Sequence, residues 1–150
     1  VYKRQTYDRK GTEDVHKNAK KSAYRPQYLF GHGLSYSEVK TTGLRILNEG
    51  DIHMGDELLV EVTLENLGNR NSAEVVMLFV QDRVASITPN MEKLRAYNRV
   101  FVGAGATKQV QLRVPTSTLG FVGLDLKHVV EPGTFGLRVQ DQLTEFELKK

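Results

Sequence analysis

The chain has 150 residues, of which 39% are hydrophobic, and it contains no cysteine. This length corresponds to about one domain, and the missing cysteines exclude disulfides, thiolate catalysis and cysteine–zinc sites. No apolar run approaches the roughly 18 residues of a membrane helix. The net charge of +3 is uneven, because residues 1–26 carry eight basic and three acidic side chains and the remainder is slightly acidic. This distribution disfavours a nucleic-acid-binding domain, which would concentrate basic residues on its folded surface.

Residues 1–27 show almost no periodic apolar pattern and are predicted to be irregular. Residues 1–5, VYKRQ, resemble a translated sequencing adaptor. The charged start predicts no signal peptide, and a first residue other than Met suggests that the reading frame continues upstream, so secretion of a longer parent stays open. Residues 1–38 are predicted to be a linker, or strap, ahead of a regular domain at 39–150.

From Val39 onward the sequence predicts a succession of short β-strands. Residues 58–65 alternate apolar and polar side chains, as in a strand with one wet face. Residues 74–80, EVVMLFV, form a continuous apolar run that is typical of a central strand covered on both faces. Further alternating segments are residues 107–114, 134–140 and 145–148, and weaker strand candidates are 39–47 and 93–102.

The segments between these strands carry turn residues. Residues 48–51, 66–69 and 103–105 contain Gly, and the first two segments also contain Asn; both residue types tolerate positive φ angles. Residues 115–119 are predicted to form one helical turn between strands. With about seven short strands and no long amphipathic helix, the chain is predicted to be all-β, an antiparallel β-sandwich of the immunoglobulin or fibronectin type III kind.

Residue spacing gives no metal or nucleophile motif. The four histidines, His16, His32, His53 and His128, are not spaced as metal ligands on one strand or helix. Ser35 lies in a segment that begins like a nucleophile elbow but lacks its closing glycine. No catalytic, metal-binding or cofactor-binding residue is therefore predicted.

Acidic residues are plentiful, but the pattern places them on wet faces and in turns. Glu61, Glu65, Glu145 and Glu147 are predicted to be solvated. Glycoside hydrolysis needs two carboxylates that face each other across a cleft. A compact sandwich of about 110 residues rarely has a cleft deep enough for a sugar ring.

The most unusual motif is YLFGHGLSY, residues 28–36, in which aromatic residues alternate with glycines. Together with Tyr24, these aromatics could form a stacking platform for sugars, or they could pack against a neighbouring domain. Packing is favoured, because glycines between aromatics suit close approach of two backbones rather than a broad open face.

Several collinear segments resemble one family. YRPQYLFGHGLSYSEV, residues 24–39, resembles the segment that leads into the C-terminal fibronectin type III-like domain of family 3 glycoside hydrolases. LENLGNRNSAEVVMLFV, residues 64–80, and EPGTFGLRV, residues 131–139, are similar to later elements of that domain. The resemblance spans about residues 24–141. Residues 103–106, GAGA, depart from it where the family has an L-x-P-G-E turn.

This resemblance implies an accessory domain rather than a complete enzyme. In the family, the nucleophilic aspartate and the acid/base glutamate lie in domains that precede this segment, and hydrolysis needs no metal or cofactor. The implied partners are the upstream catalytic domains of the same polypeptide, with the oligosaccharide substrate bound by the parent enzyme and with no nucleic acid or membrane. The implied parent is a β-glucosidase-like exo-hydrolase, and a periplasmic or extracellular location is suggested.

The predicted site is therefore a hinge and interface to those upstream domains, formed by Tyr28, Phe30, Gly31, His32, Gly33 and Tyr36. A part in the rim of the parent's active site stays open. One alternative is a carbohydrate- or surface-binding module, which an exposed aromatic row on one sheet would support. It is opposed by the polar outer positions Glu61, Thr63, Glu65, Gln109, Gln111 and Arg113. A free-standing adhesion sandwich is the other alternative.

Overall fold

The computed structural model describes residues 28, 31–50, 52–86 and 92–150 of the chain. Within these residues the regular structure consists of nine strands and one 3₁₀ turn. In chain order they are β1 (Val39–Ile46), β2 (Glu57–Asn66), β3 (Ser72–Asp82), β4 (Lys93–Val102), β5 (Thr107–Pro115), the 3₁₀ turn (Thr116–Leu119), β6 (Phe121–Val122), β7 (His128–Val129), β8 (Gly133–Val139) and β9 (Gln142–Leu148).

The long strands form two antiparallel sheets. The first sheet has the order β1-β2-β5 and the second has the order β4-β3-β8-β9, while β6 and β7 form a separate short hairpin. This arrangement confirms the predicted all-β sandwich of the fibronectin type III kind. Both weaker strand candidates are confirmed, since they correspond to β1 and β4.

The core lies between the inner faces of the two sheets. From the first sheet it receives every second residue of β2, from Leu58 to Leu64, and the matching residues of β5. From the second sheet it receives the buried residues of β3, β8 and β9, including the stacked rings of Phe135 and Phe146, whose centroids are 5.5 Å apart. Each large apolar side chain buried in this way contributes roughly 1.5–3 kcal/mol to folding, so the two-residue alternation in the sequence determines the sandwich.

The predicted helical turn at residues 115–119 is confirmed as the 3₁₀ turn. Thr116 is fully buried and attaches this turn to the loop before β2. Its backbone N–H and its hydroxyl both donate to the Asp56 carbonyl at 2.9 Å, and the hydroxyl accepts from the Gly55 N–H at 2.9 Å. The β6–β7 hairpin was not predicted, because strands of two residues are too short to show a period.

The prediction that Glu61 is solvated is wrong. Its side chain is only 8% exposed, and its Oε1 accepts hydrogen bonds from Arg45 Nε at 2.8 Å and Nη2 at 2.6 Å. Glu61 lies on the central strand of the first sheet, with Arg45 opposite it on β1 and Gln111 opposite it on β5. Side chains on both neighbouring strands therefore shield Glu61 from solvent, whereas the same residue on an edge strand would be exposed on one side.

The prediction that residues 74–80 are covered on both faces is wrong for part of the outer face. Val76, Leu78 and Val80 enter the core, and on the outer face Phe79 is buried, with Arg138 Cζ 4.4 Å from its ring centroid. Val75, however, is 41% exposed and Met77 is only half-buried, so the described part of the chain leaves this stretch of the outer face open.

Candidate interdomain interface

The described part of the predicted linker, Tyr28 and residues 31–38, is called the strap from here on; it leads into β1 and contacts the domain at several points. At its beginning, Gly31 has a φ angle of +84° and lies against the Met77 side chain on the outer face of β3. A Cβ on Gly31 would overlap Met77 Cε and lie 2.9 Å from Met77 Sδ. The positive φ angle favours glycine here, whereas the close approach alone does not require it, because the flexible end of Met77 can shift.

Two serines hold the next part of the strap. The hydroxyl oxygens of Ser35 and of Ser72, at the start of β3, are 2.7 Å apart and share a hydrogen bond. The Ser37 hydroxyl donates to Asn66 Oδ1 at 2.6 Å. The Leu67 N–H then donates to the Glu38 carbonyl at 2.8 Å, which fixes the strap just before β1 begins.

Asn66 is the buried centre of this attachment, with only 1% of its surface exposed. Its Oδ1 accepts from the Ser37 hydroxyl and from the Gly68 N–H at 3.1 Å. Its Nδ2 donates to the carbonyls of Arg70 at 2.8 Å and Val102 at 3.2 Å. The side-chain amide thus makes all four of the hydrogen bonds that it can make, and it joins the strap to β2, to the β2–β3 loop and to the end of β4.

The opposite side of the strap faces away from the domain. Tyr36 is 96% exposed, Leu34 is almost fully exposed and Tyr28 is mostly exposed. The Tyr28 and His32 rings stack with centroids 4.7 Å apart and an interplanar angle of 30°. A short segment that presents three large apolar or aromatic side chains outward has the composition of an interface rather than of a free loop.

The structure places five of the six predicted hinge residues. It brings Tyr28 and His32 together and sets Gly31 on β3, whereas Gly33 and Tyr36 are exposed. The sixth, Phe30, lies outside the described residues. Sequence reasoning missed the anchoring residues Ser35, Ser37 and Asn66, although the N-x-G turn at 66–68 marked the position where they meet.

The outer face of the first sheet is polar. Strands β1, β2 and β5 contain no aromatic residue, and Gln109, Gln111 and Arg113 are exposed on β5. Arg45 and Glu61 form an ion pair across the middle of this face. The described residues of this face therefore form no aromatic row of the kind that the carbohydrate-binding alternative requires.

A pocket of about 30 Å³ lies where the 3₁₀ turn meets the second sheet, and Asp82, Arg95 and Phe121 are among its lining residues. Burial raises the pKa of Asp82, an effect that the Val84 N–H partly offsets and the nearby Glu131 charge reinforces. Hydrogen bonds from Ser86 lower the pKa of Glu131, and burial lowers the pKa of the Arg95 guanidinium. Ligand sites usually enclose about 300–1,000 Å³, so this pocket has room for a few water molecules rather than a sugar ring.

Among the described residues, no three His, Asp or Glu side chains come close enough to hold a metal ion. No helix in this part of the chain is long and apolar enough to cross a membrane.

Residues 74–142 match the model of the fibronectin type III-like domain family. A beta-xylosidase of Formosa agariphila is 35% identical over 114 residues, which are 76% of this chain and 16% of that protein. The lysosomal beta glucosidase of Dictyostelium discoideum is 28% identical over 141 residues, which are 88% of this chain and 17% of that protein. The crystal structure of a beta-glucosidase from Listeria innocua with gluconolactone superposes with a TM-score of 0.77 and 31% identity, and the match covers 97% of this chain and 20% of that one.

The chain thus spans about a fifth or less of the length of these relatives. They are large glycoside hydrolases, and the matched portion is one domain of each. The sandwich topology, the family match and the alignments agree, and they identify the chain as carrying the C-terminal fibronectin type III-like accessory domain of a family 3 glycoside hydrolase.

Proposed function

We propose that this domain docks on the upstream catalytic domains of its own polypeptide and stabilises their arrangement. The parent is an exo-hydrolase that releases a terminal β-linked glucose, or a similar sugar such as xylose, from oligosaccharides with retention of configuration. The names of the similar proteins, beta-glucosidase and beta-xylosidase, support this substrate class. The 150-residue chain supplies neither catalytic carboxylate and hydrolyses nothing by itself.

The observation that carries this proposal is that the strap is hydrogen-bonded to the domain on one side and exposes large apolar and aromatic side chains on the other. Its inner side is fixed by hydrogen bonds through Ser35, Ser37 and Glu38. Its outer side presents Tyr28, Leu34 and Tyr36 to whatever lies beside it. Ordering a segment costs roughly 1–2 kcal/mol per residue of backbone entropy, so a strap that is ordered while exposing its largest side chains has the form of a preorganised contact.

Docking within one polypeptide does not require a strong interface. A short linker holds two domains at an effective concentration in the millimolar range, so a contact worth a few kcal/mol keeps them together. The anchored strap shortens the free linker further, because the segment from Ser35 onward belongs rigidly to the sandwich. The domain then stabilises the catalytic part because it binds the folded form and not the unfolded one.

The first experiment compares hydrolysis of p-nitrophenyl β-glucoside and β-xyloside by the purified 150-residue chain and by the parent enzyme. Activity in the parent alone is the expected result. Clear activity in the short chain would mean that a catalytic pair lies within the sandwich, and the proposal would be wrong.

A second experiment removes residues 39–150 from the parent. The shortened enzyme should unfold at a temperature several degrees lower, since a loss of about 1 kcal/mol shifts the midpoint of a domain by a few degrees. An unchanged unfolding temperature, measured at equal protein concentration, would contradict the stabilising role.

A further inference from the structure

The outer faces of β3 and β4 carry a row of mostly apolar side chains with one arginine, here called the β4 face. It is formed by Ala73, Val75, Met77, Tyr97, Arg99 and Phe101. These residues pair across the two strands, with Ala73 opposite Phe101, Val75 opposite Arg99 and Met77 opposite Tyr97. They point outward because the alternate residues Val76, Val100 and Val102 lie in the core. Directly opposite residues have Cβ atoms about 4.5–5.5 Å apart, so the row forms one continuous surface.

This surface has the composition of a protein interface. Tyr97 is 72% exposed and Phe101 is 59% exposed, with Arg99 exposed between them on the same strand. Tyr and Arg are enriched among residues that dominate binding energy, and aromatic residues in general are enriched in interface cores. Within the described part of the chain, the Arg99 side chain makes no hydrogen bond and no ion pair, so its guanidinium is available to a carboxylate from elsewhere.

The sequence of β3 supports the same conclusion. A continuous apolar run such as EVVMLFV is typical of a strand with cover on both faces, yet Val75 and much of Met77 remain open. Gly31 of the strap contacts this surface at Met77, at one end of the row. Within the described residues, the cover that the composition calls for is therefore incomplete.

The path of the chain indicates what completes it. Gly31, where the continuously described chain begins, lies against Met77, so this part of the strap lies beside the β4 face. The similar proteins are about five times longer than the matched region, and the family match makes this chain one domain of such a protein. A domain that precedes the strap in the chain is therefore tethered to the sandwich on the side that carries the β4 face.

We propose that the β4 face and the outer side of the strap together form the surface on which the upstream catalytic part of the same polypeptide packs, with a carboxylate of that part opposite Arg99. This inference rests on the proposed function and assigns it a surface. It makes Tyr97 and Phe101 the apolar anchors and Arg99 the residue that fixes their register with the partner.

The test uses the full-length parent enzyme, in which Tyr97 and Phe101 are both changed to Ser. Thermal unfolding and the rate of proteolytic cleavage within the strap are measured. Loss of two aromatic anchors should speed cleavage at least about tenfold and lower the unfolding temperature. The matched control is Leu143→Ser, because Leu143 is 67% exposed and lies on β9, at the far edge of the same sheet; it should leave both values unchanged.

A second pair of variants tests the charge. Arg99→Glu should speed cleavage by a factor similar to that of the double variant, whereas Arg99→Lys should retain most of the protection, because it keeps the positive charge. Equal effects of the two Arg99 variants would overturn the predicted carboxylate.

Failure of this inference differs from failure of the proposed function. If removal of residues 39–150 destabilises the parent but the double variant behaves like wild type, the accessory role stands and the assigned surface is wrong. If the double variant keeps normal stability but loses binding to insoluble β-glucan, the β4 face is a sugar-binding platform and the proposal is overturned.

Discussion

The two outer faces of the sandwich are built on different principles. The face of the first sheet is completed by its own side chains, since Arg45 covers and neutralises Glu61 and polar residues surround the pair. The β4 face presents Tyr97, Phe101 and Arg99, whose side chain has no partner in the described residues, and Gly31 of the strap contacts this face at Met77. One small domain can thus combine an outer face whose charges are paired by its own side chains with an outer face whose apolar residues stay exposed.

Within the 150-residue chain, the largest loss of unfolding free energy is expected where the strap is attached, at Asn66. Asn66→Ala removes four hydrogen bonds and leaves buried backbone groups unpaired, so unfolding free energy should fall by about 3 kcal/mol. Urea denaturation measures this loss, and Asn71→Ala is the control, because exposed Asn71 accepts one hydrogen bond, from the Ala104 N–H. Equal losses in the two variants would show that the strap is not an integral part of the fold.

The polar face should show a smaller effect. Arg45→Met leaves the buried Glu61 carboxylate without its partner, but Arg45 itself is exposed, so solvent compensates part of the lost attraction. The expected cost is about 1 kcal/mol. Arg113→Met is the matched control, since the ion pair of Arg113 with Glu57 is 3.5 Å long and exposed on both sides. If the Arg113 change were the more costly one, this face would not be organised around Glu61.

The β4 face should matter little to the isolated domain. Tyr97→Ser and Gln111→Ser, one on each outer face, should each change the unfolding free energy of the 150-residue chain by less than about 1 kcal/mol. The reason is that both side chains are exposed, so neither loses much buried contact. A loss above about 2 kcal/mol for the tyrosine alone would assign it a role in folding and remove the contrast between the faces.

The smallest effect concerns Glu74, which lies on β3 beside Val75 but on the opposite side of the strand. Burial raises the pKa of Glu74, and a hydrogen bond from Gln140 partly offsets the rise. The folded state therefore holds the proton of the Glu74 carboxyl more tightly than the unfolded state does. The stabilisation that results is fully present below the ordinary pKa of 4.5 and is lost as pH rises through the pKa of the folded state. Glu74→Gln should stabilise the chain at pH 7 by a few tenths of a kcal/mol, and this gain should disappear in unfolding curves measured below pH 4.5. A gain that instead grows on acidification would contradict the direction of the shift.

The sandwich was predictable because its core follows from a local pattern. Residues 58–65 and 107–114 alternate clearly, and the turn residues between strands set the spacing. The β6–β7 hairpin escaped prediction because four paired residues carry no period. Glu61 escaped because its burial depends on side chains from two other strands, which one strand's alternation does not reveal.

The candidate site was predictable in position but not in construction. The aromatic and glycine motif at 28–36 indicated an interface, which stays a prediction, whereas the role of Asn66 depends on partners from separate segments of the chain. Tyr97 and Phe101 were not singled out, because in KLRAYNRVFV each of the two alternating sets contains apolar residues. Sequence alternation alone does not tell which of these sets faces the core.

The hydrogen bonds of Asn66 also have a mechanical consequence. A pulling force that arrives from an upstream domain travels along the strap and meets Ser37 and Glu38, which are held by Asn66 and Leu67, before it reaches β1. The load is thereby shared with β2 and with the end of β4, instead of peeling the edge strand β1 away from its sheet one hydrogen bond at a time. The edge strand β1 is thereby relieved of part of any load that arrives through the strap.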